Sequence, residues 1–188
     1  MRARFAVVVT IAAALAGCAG PGPTLKERAV EDRERGYRFL LPPGWKMFGY
    51  EARSPSGSLL TIDVHSLVGA DSQCVTGLPE SVIPQLEAWT LYYFNTVDKP
   101  ATRQTTVGGS PALEIVYTTR VRTQDPPSRA EYWVVRNGSL LYILRATYPA
   151  GRADAESPAV RDLLASWVFL EATAPGAKPI GAAPPPRS

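Results

Sequence analysis

The sequence has few of the residues on which metal and nucleophile chemistry depends. Its 188 residues include two cysteines and one histidine, so every histidine-dependent mechanism must use His65. Neither a Gly-x-Ser-x-Gly elbow nor a glycine-rich phosphate loop occurs in it. We therefore expect no catalytic residue, no metal site and no cofactor. Two alternatives remain open from the sequence. One is a nucleophilic pair of Cys74 and His65; the other is a metal site with Asp63 and His65 as ligands, for which a third ligand is not visible.

An excess of charge of one sign is also lacking. The formal net charge is +3, but two of the 20 basic residues are Arg2 and Arg4 at the N-terminus. Removing them leaves 18 basic and 17 acidic residues, a balance of +1. A nucleic-acid-binding domain needs a strongly basic surface. The composition therefore argues against nucleic acid as a partner.

No apolar run is long enough to cross a bilayer. The longest candidate, Phe5–Leu15, follows two arginines, and an apolar helix of about a dozen residues reaches only about 18 Å, against about 30 Å of hydrocarbon. A charged start, a short apolar core and small residues before a cleavage point are typical of a secretory signal peptide. Leu15–Cys18 (LAGC) resembles the bacterial lipobox, which implies cleavage before Cys18 and attachment of acyl chains, including palmitate, to that cysteine.

The lipobox resemblance implies a location in the cell envelope, with the membrane as a partner through the anchor. Ala19 follows the cysteine, and by resemblance to enterobacterial sorting this favours the outer membrane, facing the periplasm. The inner membrane and the cell surface are the alternatives. Cys74 would then be unpaired in an oxidising compartment. We expect it to be a partly buried small residue, with an intermolecular disulfide as the alternative.

The mature chain divides into three parts after the signal peptide at residues 1–17. Residues 18–36 are polar; Thr24–Glu27 fits a capping box and Gly36 a helix stop, which predicts a tether with a marginal helix and a reach of about 25 Å. Residues 37–171 form one globular domain of 135 residues. Residues 172–188 are rich in proline, alanine and glycine and are predicted to be disordered.

Alternating apolar residues dominate the central part of the chain. In the segment after Ser58, Leu60, Ile62 and Val64 share one face and His65 lies on the opposite, polar face, where we expect it to point outward. The predicted strands are Tyr37–Leu41, Met47–Arg53, Leu59–Val68, Thr102–Val107, Pro111–Arg122, Arg129–Arg136 and Ser139–Tyr148. The last two flank Asn137–Gly138, which predicts a tight hairpin turn. Helices are predicted over Ser81–Asn95 and after Ser157, with Ser157 as cap and Pro158 as first residue. This order predicts an α+β domain with a mainly antiparallel sheet.

Three short motifs carry a family resemblance. Tyr37–Trp45 (YRFLLPPGW), Val107–Ala112 (VGGSPA) and Leu164–Phe169 (LASWVF) resemble the opening strand and turn, the central glycine turn and the closing segment of Mog1/PsbP-like domains. The resemblance spans essentially all of residues 37–171. It implies an α/β/α sandwich around an antiparallel sheet of about six or seven strands, with helices packed on it. It also implies a role in binding or assembling other proteins, since better-understood members are an extrinsic photosystem subunit and a partner of a small GTPase.

A weaker surface signal is the clustering of arginine between Arg120 and Arg161. Arg120 and Arg122 are expected to share a strand face and are the candidate partner-binding residues. The resulting hypothesis is a non-enzymatic, membrane-anchored envelope lipoprotein that binds or supports assembly of another envelope protein. The alternatives are a carrier of a small ligand or lipid, which needs an enclosed apolar pocket, and a hydrolase that uses His65.

Overall fold

The computed structural model describes residues 28–67, 82–93, 96–98, 100–120, 122 and 124–171. The predicted signal peptide, Cys18, Cys74 and the proline-rich tail after residue 171 lie outside the described residues. The predictions made for them stay predictions.

The described chain contains a strand-rich core and two helices. The helices are α1 (Ile83–Tyr93) and α2 (Ala153–Ala165). The strands are β1 (Ala29–Asp32), β2 (Tyr37–Leu40), β3 (Lys46–Phe48), β4 (Glu51–Arg53), β5 (Leu59–Ser66), β6 (Thr96–Val97), β7 (Ala101–Val107), β8 (Ser110–Arg120), β9 (Ser128–Asn137), β10 (Leu140–Thr147) and β11 (Val168–Phe169).

Most of the strands form one antiparallel sheet. Among the described residues this sheet has eight strands, in the order β3-β4-β5-β10-β9-β8-β6, with β7 also paired to β8. The β9–β10 hairpin turns at Asn137 and Gly138, and its register pairs Leu140 with Asn137. Gly138 has φ +59°, the left-handed conformation that a two-residue hairpin turn requires. The turn prediction at this point is therefore confirmed.

A small sheet of three strands, in the order β1-β2-β11, joins the two ends of the domain. β1 pairs with β2 so that Ala29 lies opposite Leu40 and Asp32 opposite Tyr37. The sequence predicted a tether with a marginal helix through residue 36, and for Ala29–Asp32 this is wrong. The helix pattern is weak there, and pairing with β2 supplies backbone hydrogen bonds that an isolated three-turn helix would have to make alone. The ordered domain thus begins before Tyr37.

Two other elements differ from their predictions. The strand predicted over Met47–Arg53 is a tight hairpin, β3 and β4, because Gly49 turns the chain at φ +61°. The second helix begins at Ala153, so Pro158 lies inside it and Ser157 is not its cap. The buried Ser157 hydroxyl instead donates to the Glu131 carboxylate, with 3.4 Å between Oγ and Oε2.

Each face of the large sheet carries its own apolar core. One core contains α1 residues such as Leu86 packed on Leu113, Ile115 and Tyr132 of the central strands. The other contains α2 residues such as Leu163, residues of the small sheet, and the residues of the same central strands whose side chains point to the opposite face. The helices therefore cover opposite faces of the sheet. This arrangement is the predicted α+β, α/β/α sandwich.

The motifs of the opening and closing segments meet in an aromatic cluster. The Trp167 ring stacks on Tyr37 and Phe39, with ring centroids 4.9 and 5.0 Å apart, and Tyr142 meets it edge-on at 6.4 Å. Gly108 of the central glycine turn packs against the backbone of Trp167, where an added Cβ would lie 2.3 Å from the carbonyl oxygen. Only glycine fits this position, so the central glycine turn packs directly on the closing segment.

Candidate functional site: a buried arginine–glutamate network

The two candidate partner-binding arginines do not share a strand face. β8 ends at Arg120, whose Nη1 lies 3.7 Å from Oδ2 of Asp98. Arg122 lies beyond the strand, in a bend where its backbone N–H donates to the Asp125 carboxylate at 2.9 Å. The prediction of one extended strand through Arg122 is therefore wrong, because a local turn with an aspartate acceptor ends the pairing.

His65 is buried rather than outward. It shares the α1 side of the sheet with Asp63, as the alternation predicts, but it is 5% exposed and its ring lies 6.3 Å from that of Trp89 on α1. The polar face of β5 is covered because α1 packs over it, which period-two alternation does not reveal. A substrate in water would not reach this imidazole. The burial of His65 therefore argues against a hydrolase that uses it.

The opposite, α2 side of the sheet holds two carboxylates that the sequence analysis did not single out. Glu114 on β8 is 0% exposed and Glu131 on β9 is 1% exposed. The register places Glu114 opposite Trp133, two residues from Glu131, so the two side chains are diagonal neighbours on one face. Burying an ionised carboxylate costs several kcal/mol unless charged partners and hydrogen bonds compensate. Each of the two has such partners.

Glu114 is held by two arginines that approach from the edge of the sheet and from the helix. Arg103 of β7 donates from Nε to Oε2, and Arg161 of α2 donates from Nη2 to Oε1 at 2.9 Å. Both arginines extend to solvent, with side chains 59% and 41% exposed. Glu114 thus joins α2, β7 and β8 through a single buried carboxylate.

Glu131 is held by a different set of donors. Tyr148 donates its hydroxyl to Oε2 at 3.0 Å, and Arg129 forms an ion pair with 2.8 Å between Nε and Oε1. Nη2 of Arg161 lies 3.9 Å from Oε2, so Arg161 contacts both buried carboxylates through one nitrogen. Arg129 also reaches the exposed Asp154 at the start of α2, 3.2 Å away. The network therefore links α2 to the sheet at both Asp154 and Arg161, along most of the helix.

The electrostatics of Glu114 and Tyr148 suit charge pairing and not proton transfer. Desolvation tends to raise the pKa of Glu114, but the hydrogen bonds from Arg103 and Arg161 outweigh it and lower the pKa below the ordinary glutamate value. Burial, and then the charge of Glu131, raise the pKa of Tyr148. At neutral pH Glu114 is thus ionised and Tyr148 protonated. Both pKa values are shifted away from 7, whereas an efficient general acid or base needs a pKa near the working pH.

A pocket of about 380 Å³ opens beside this network, between α2 and the β7–β8 turn. We call it the α2–β7 pocket; its lining is Thr105, Thr106, Gly108, Gly109, Trp133, Arg161, Leu164 and Ala165. Arg161 is the one charged group in this lining. Its contacts with the carboxylates both use Nη2, which leaves the N–H donors of Nε and Nη1 for other acceptors. The α2–β7 pocket is therefore suited to an anionic group.

A second pocket, of about 260 Å³, lies at the other end of the network. Arg129 and Asp154 line it, together with residues of the β8–β9 and β10–α2 connections. Both pockets have charged or hydroxyl-bearing side chains in their walls. Neither is the apolar enclosure that the carrier hypothesis needs.

The sequence holds a signal for the buried carboxylates. Glu114 lies in Ala112–Val116 (ALEIV) and Glu131 in Ala130–Val134 (AEYWV), where apolar residues occupy both strand faces. A strand that is apolar on both faces is covered on both sides. A glutamate within it must therefore be buried and paired. The identity of its arginine partners depends on which strand and helix lie beside it.

The part of the chain that the structure describes offers neither a metal cluster nor a membrane-spanning helix. No group of three or more histidine, cysteine, aspartate or glutamate side chains is placed to hold a metal ion there. No helix in the same part of the chain is both long and apolar enough to cross a bilayer.

Comparisons with known proteins give a likeness in structure only. No protein-family model matches the chain, and no curated protein matches it in sequence. The solution structure of cyanobacterial PsbP (CyanoP) from Synechocystis superposes with a TM-score of 0.57 at 15% identity, covering 81% of this chain and 99% of that one. The chain has the Mog1/PsbP-like fold. The Saccharomyces cerevisiae Ran-binding protein Mog1p matches at a TM-score of 0.48 and 9% identity, over 75% of this chain and 94% of its own. We base the fold assignment on the CyanoP superposition.

Proposed function

We propose that this chain is a lipoprotein of the bacterial cell envelope, anchored through acyl chains on Cys18 after removal of residues 1–17. The support is the sequence Leu15–Cys18 after a short apolar segment with two preceding arginines. More than one acyl chain is needed for stable attachment, and a lipoprotein anchor provides several. Ala19 favours the outer membrane, facing the periplasm.

The folded domain is, in this proposal, a non-enzymatic binding module for another envelope protein. The observation that carries it is the α2–β7 pocket, in which two buried carboxylates fix the solvent-reaching Arg161. A pre-organised arginine binds a carboxylate with little further loss of side-chain entropy. The pocket therefore fits a carboxylate of a partner protein, from an acidic side chain or a chain terminus. The lowered pKa of Glu114 and the burial of His65 both favour binding over catalysis.

The anchor is tested with Cys18→Ser. The wild type should fractionate with membranes, and mass spectrometry of its N-terminal peptide should show an acylated Cys18. The variant should keep its signal peptide and lack the acyl mass. An unmodified, uncleaved N-terminus on the wild type would overturn the anchor.

The binding role is tested at Ala165, which is exposed and lines the α2–β7 pocket without touching the ion pairs. Ala165→Glu and Ala165→Gln add side chains of equal size that differ only in charge. After cross-linking in intact cells, a specific envelope protein should be recovered with wild type and lost more strongly with Ala165→Glu than with Ala165→Gln. Equal recovery from both variants would contradict recognition of an anion. Recovery of no specific protein from wild type would contradict the binding module.

A further inference from the structure

The tip of the β3–β4 hairpin exposes two aromatic rings at an edge of the large sheet. Phe48 is 54% exposed and Tyr50 43% exposed, and they flank Gly49. The inward-facing residues of this hairpin, Met47 and Ala52, pack in the core on the α2 side. Both side chains are only about half buried, so each forgoes part of the about 1.5–3 kcal/mol that full burial contributes. The exposed pair therefore needs an explanation outside the core of the domain.

Each of the two rings is accompanied by an arginine. The Arg35 guanidinium lies over the Tyr50 ring, 3.7 Å from its centroid, and that of Arg53 lies 5.2 Å from the Phe48 centroid. Arg35 and Arg53 also pair with Asp32 and Glu51. Lys46, on the same face of the hairpin as Phe48, is exposed and belongs to neither pair. The tip thus combines apolar rings, long cationic side chains and a positive charge, the composition that stabilises a protein surface at a lipid headgroup layer.

With Cys18 anchored, the short chain before the first described residue keeps Arg28, at the start of β1, within reach of a membrane. Ten peptide steps separate Cys18 from Arg28. They cannot span more than about 36 Å, and a random coil of that length averages about 17 Å. The pairing of β1 makes this connection shorter than the tether through Gly36 expected from sequence. β1 continues from Arg28 to the turn that carries Arg35, which contacts Tyr50 directly.

We propose that the β3–β4 hairpin rests on the phospholipid surface to which the chain is anchored, with Phe48 and Tyr50 inserted at the level of the headgroups. This inference depends on the proposed anchor at Cys18. It fixes an orientation: β3 is the outermost strand, and β7 lies six strand spacings away, about 29 Å from the lipid. The α2–β7 pocket, at that opposite edge, then faces away from the membrane, where a partner can approach it.

The test uses the lipidated protein as extracted from membranes, reconstituted into liposomes of phosphatidylethanolamine and phosphatidylglycerol with brominated acyl chains. Phe48→Trp adds one reporter to the four native tryptophans, and Thr102→Trp adds a matched reporter at an exposed position of β7. The emission added at position 48 should fall by about half relative to liposomes without bromine, because a headgroup-level ring lies within reach of the brominated chains. The emission added at position 102 should not change.

The outcomes separate the docking from the anchor. Protein that floats with the liposomes but shows no quenching at position 48, or equal quenching at positions 48 and 102, overturns the docking and leaves the anchor standing. Protein that fails to float overturns both. Selective quenching at position 48 establishes the orientation.

Discussion

The two faces of the large sheet are built from the same strands, but the buried residues of β8 are apolar on one face and include an ion-paired carboxylate on the other. On the α1 side, Leu113, Ile115 and Tyr117 of β8 are buried in an apolar cluster, and the hydroxyls of Thr90 and Tyr132 pair there at 2.6 Å. On the α2 side the intervening residue, Glu114, carries a full charge into the interior. Adjacent residues of β8 thus face an apolar core on one side of the sheet and an ion-pair network on the other.

This difference shows what each face contributes. On the α1 side, non-directional apolar contacts dominate, and one buried hydroxyl pair links the helix to β9. The hydrogen bond from Arg161 to Glu114 is directional and, together with the 3.9 Å ion pair to Glu131, positions Arg161 relative to β8 and β9. A buried ion pair is weak evidence for net stability. We therefore expect these ion pairs to position Arg161 at the pocket more than to add net stability.

The largest effect is expected from Arg161→Met on the α2 face. The change leaves Glu114, which has no exposed surface, with Arg103 as its remaining cation, and we expect a loss of about 3 kcal/mol in the free energy of unfolding. Glu114→Leu should cost about 1 kcal/mol or less, since the released arginines can turn toward water. Urea denaturation at pH 7 measures both. Equal losses would show that the carboxylate is not effectively buried.

Next in size is Leu86→Ala on the α1 face. Leu86 is fully buried against the sheet, and the cavity should cost about 2–3 kcal/mol. Because no charge is exposed or left unpaired, this loss should be the same at low and high salt. A loss that changes with salt would mean that the two faces are not energetically distinct.

A smaller effect is expected from Thr90→Val, also on the α1 face. The substitution keeps the shape of the side chain and removes the hydrogen bond to the Tyr132 hydroxyl, at a cost of about 1 kcal/mol. Thr90→Ser keeps the hydroxyl and serves as the control; it should lie closer to wild type in thermal unfolding. If Thr90→Val were fully neutral, the hydroxyl pair would contribute nothing to this face.

The smallest expected effect is on the acid dependence of stability. The pKa of Glu114 is lowered in the folded protein, so its stabilisation is complete above the unfolded-state pKa and is lost as the pH falls through the folded-state pKa. Wild type should therefore lose stability more steeply than Glu114→Leu on acidification below about pH 5. Denaturation midpoints across that range provide the measurement, and parallel pH curves would contradict the assignment.

The sequence predicted the order of elements well and their partners less well. Alternation located the core of β5 and β8, and Asn137–Gly138 located a hairpin, because side-chain parity and turn conformation are local properties. The pattern of the polar segment before Tyr37 suggested helix, whereas Ala29–Asp32 is a strand that exists through pairing with β2. The aromatic residues Tyr37 and Trp167 were recognised only as separate motifs, although they stack together.

By itself, the sequence determined that this is one antiparallel-sheet domain with two amphipathic helices, preceded by a segment that resembles a lipoprotein signal. The periods of the apolar pattern and the glycine turns suffice for that, since both act over a few residues. Only the tertiary structure decided that Glu114 and Glu131 share Arg161, that His65 is covered by α1, and that Phe48 remains exposed. Burial and charge pairing depend on which elements lie side by side, and that is set by packing across the whole domain.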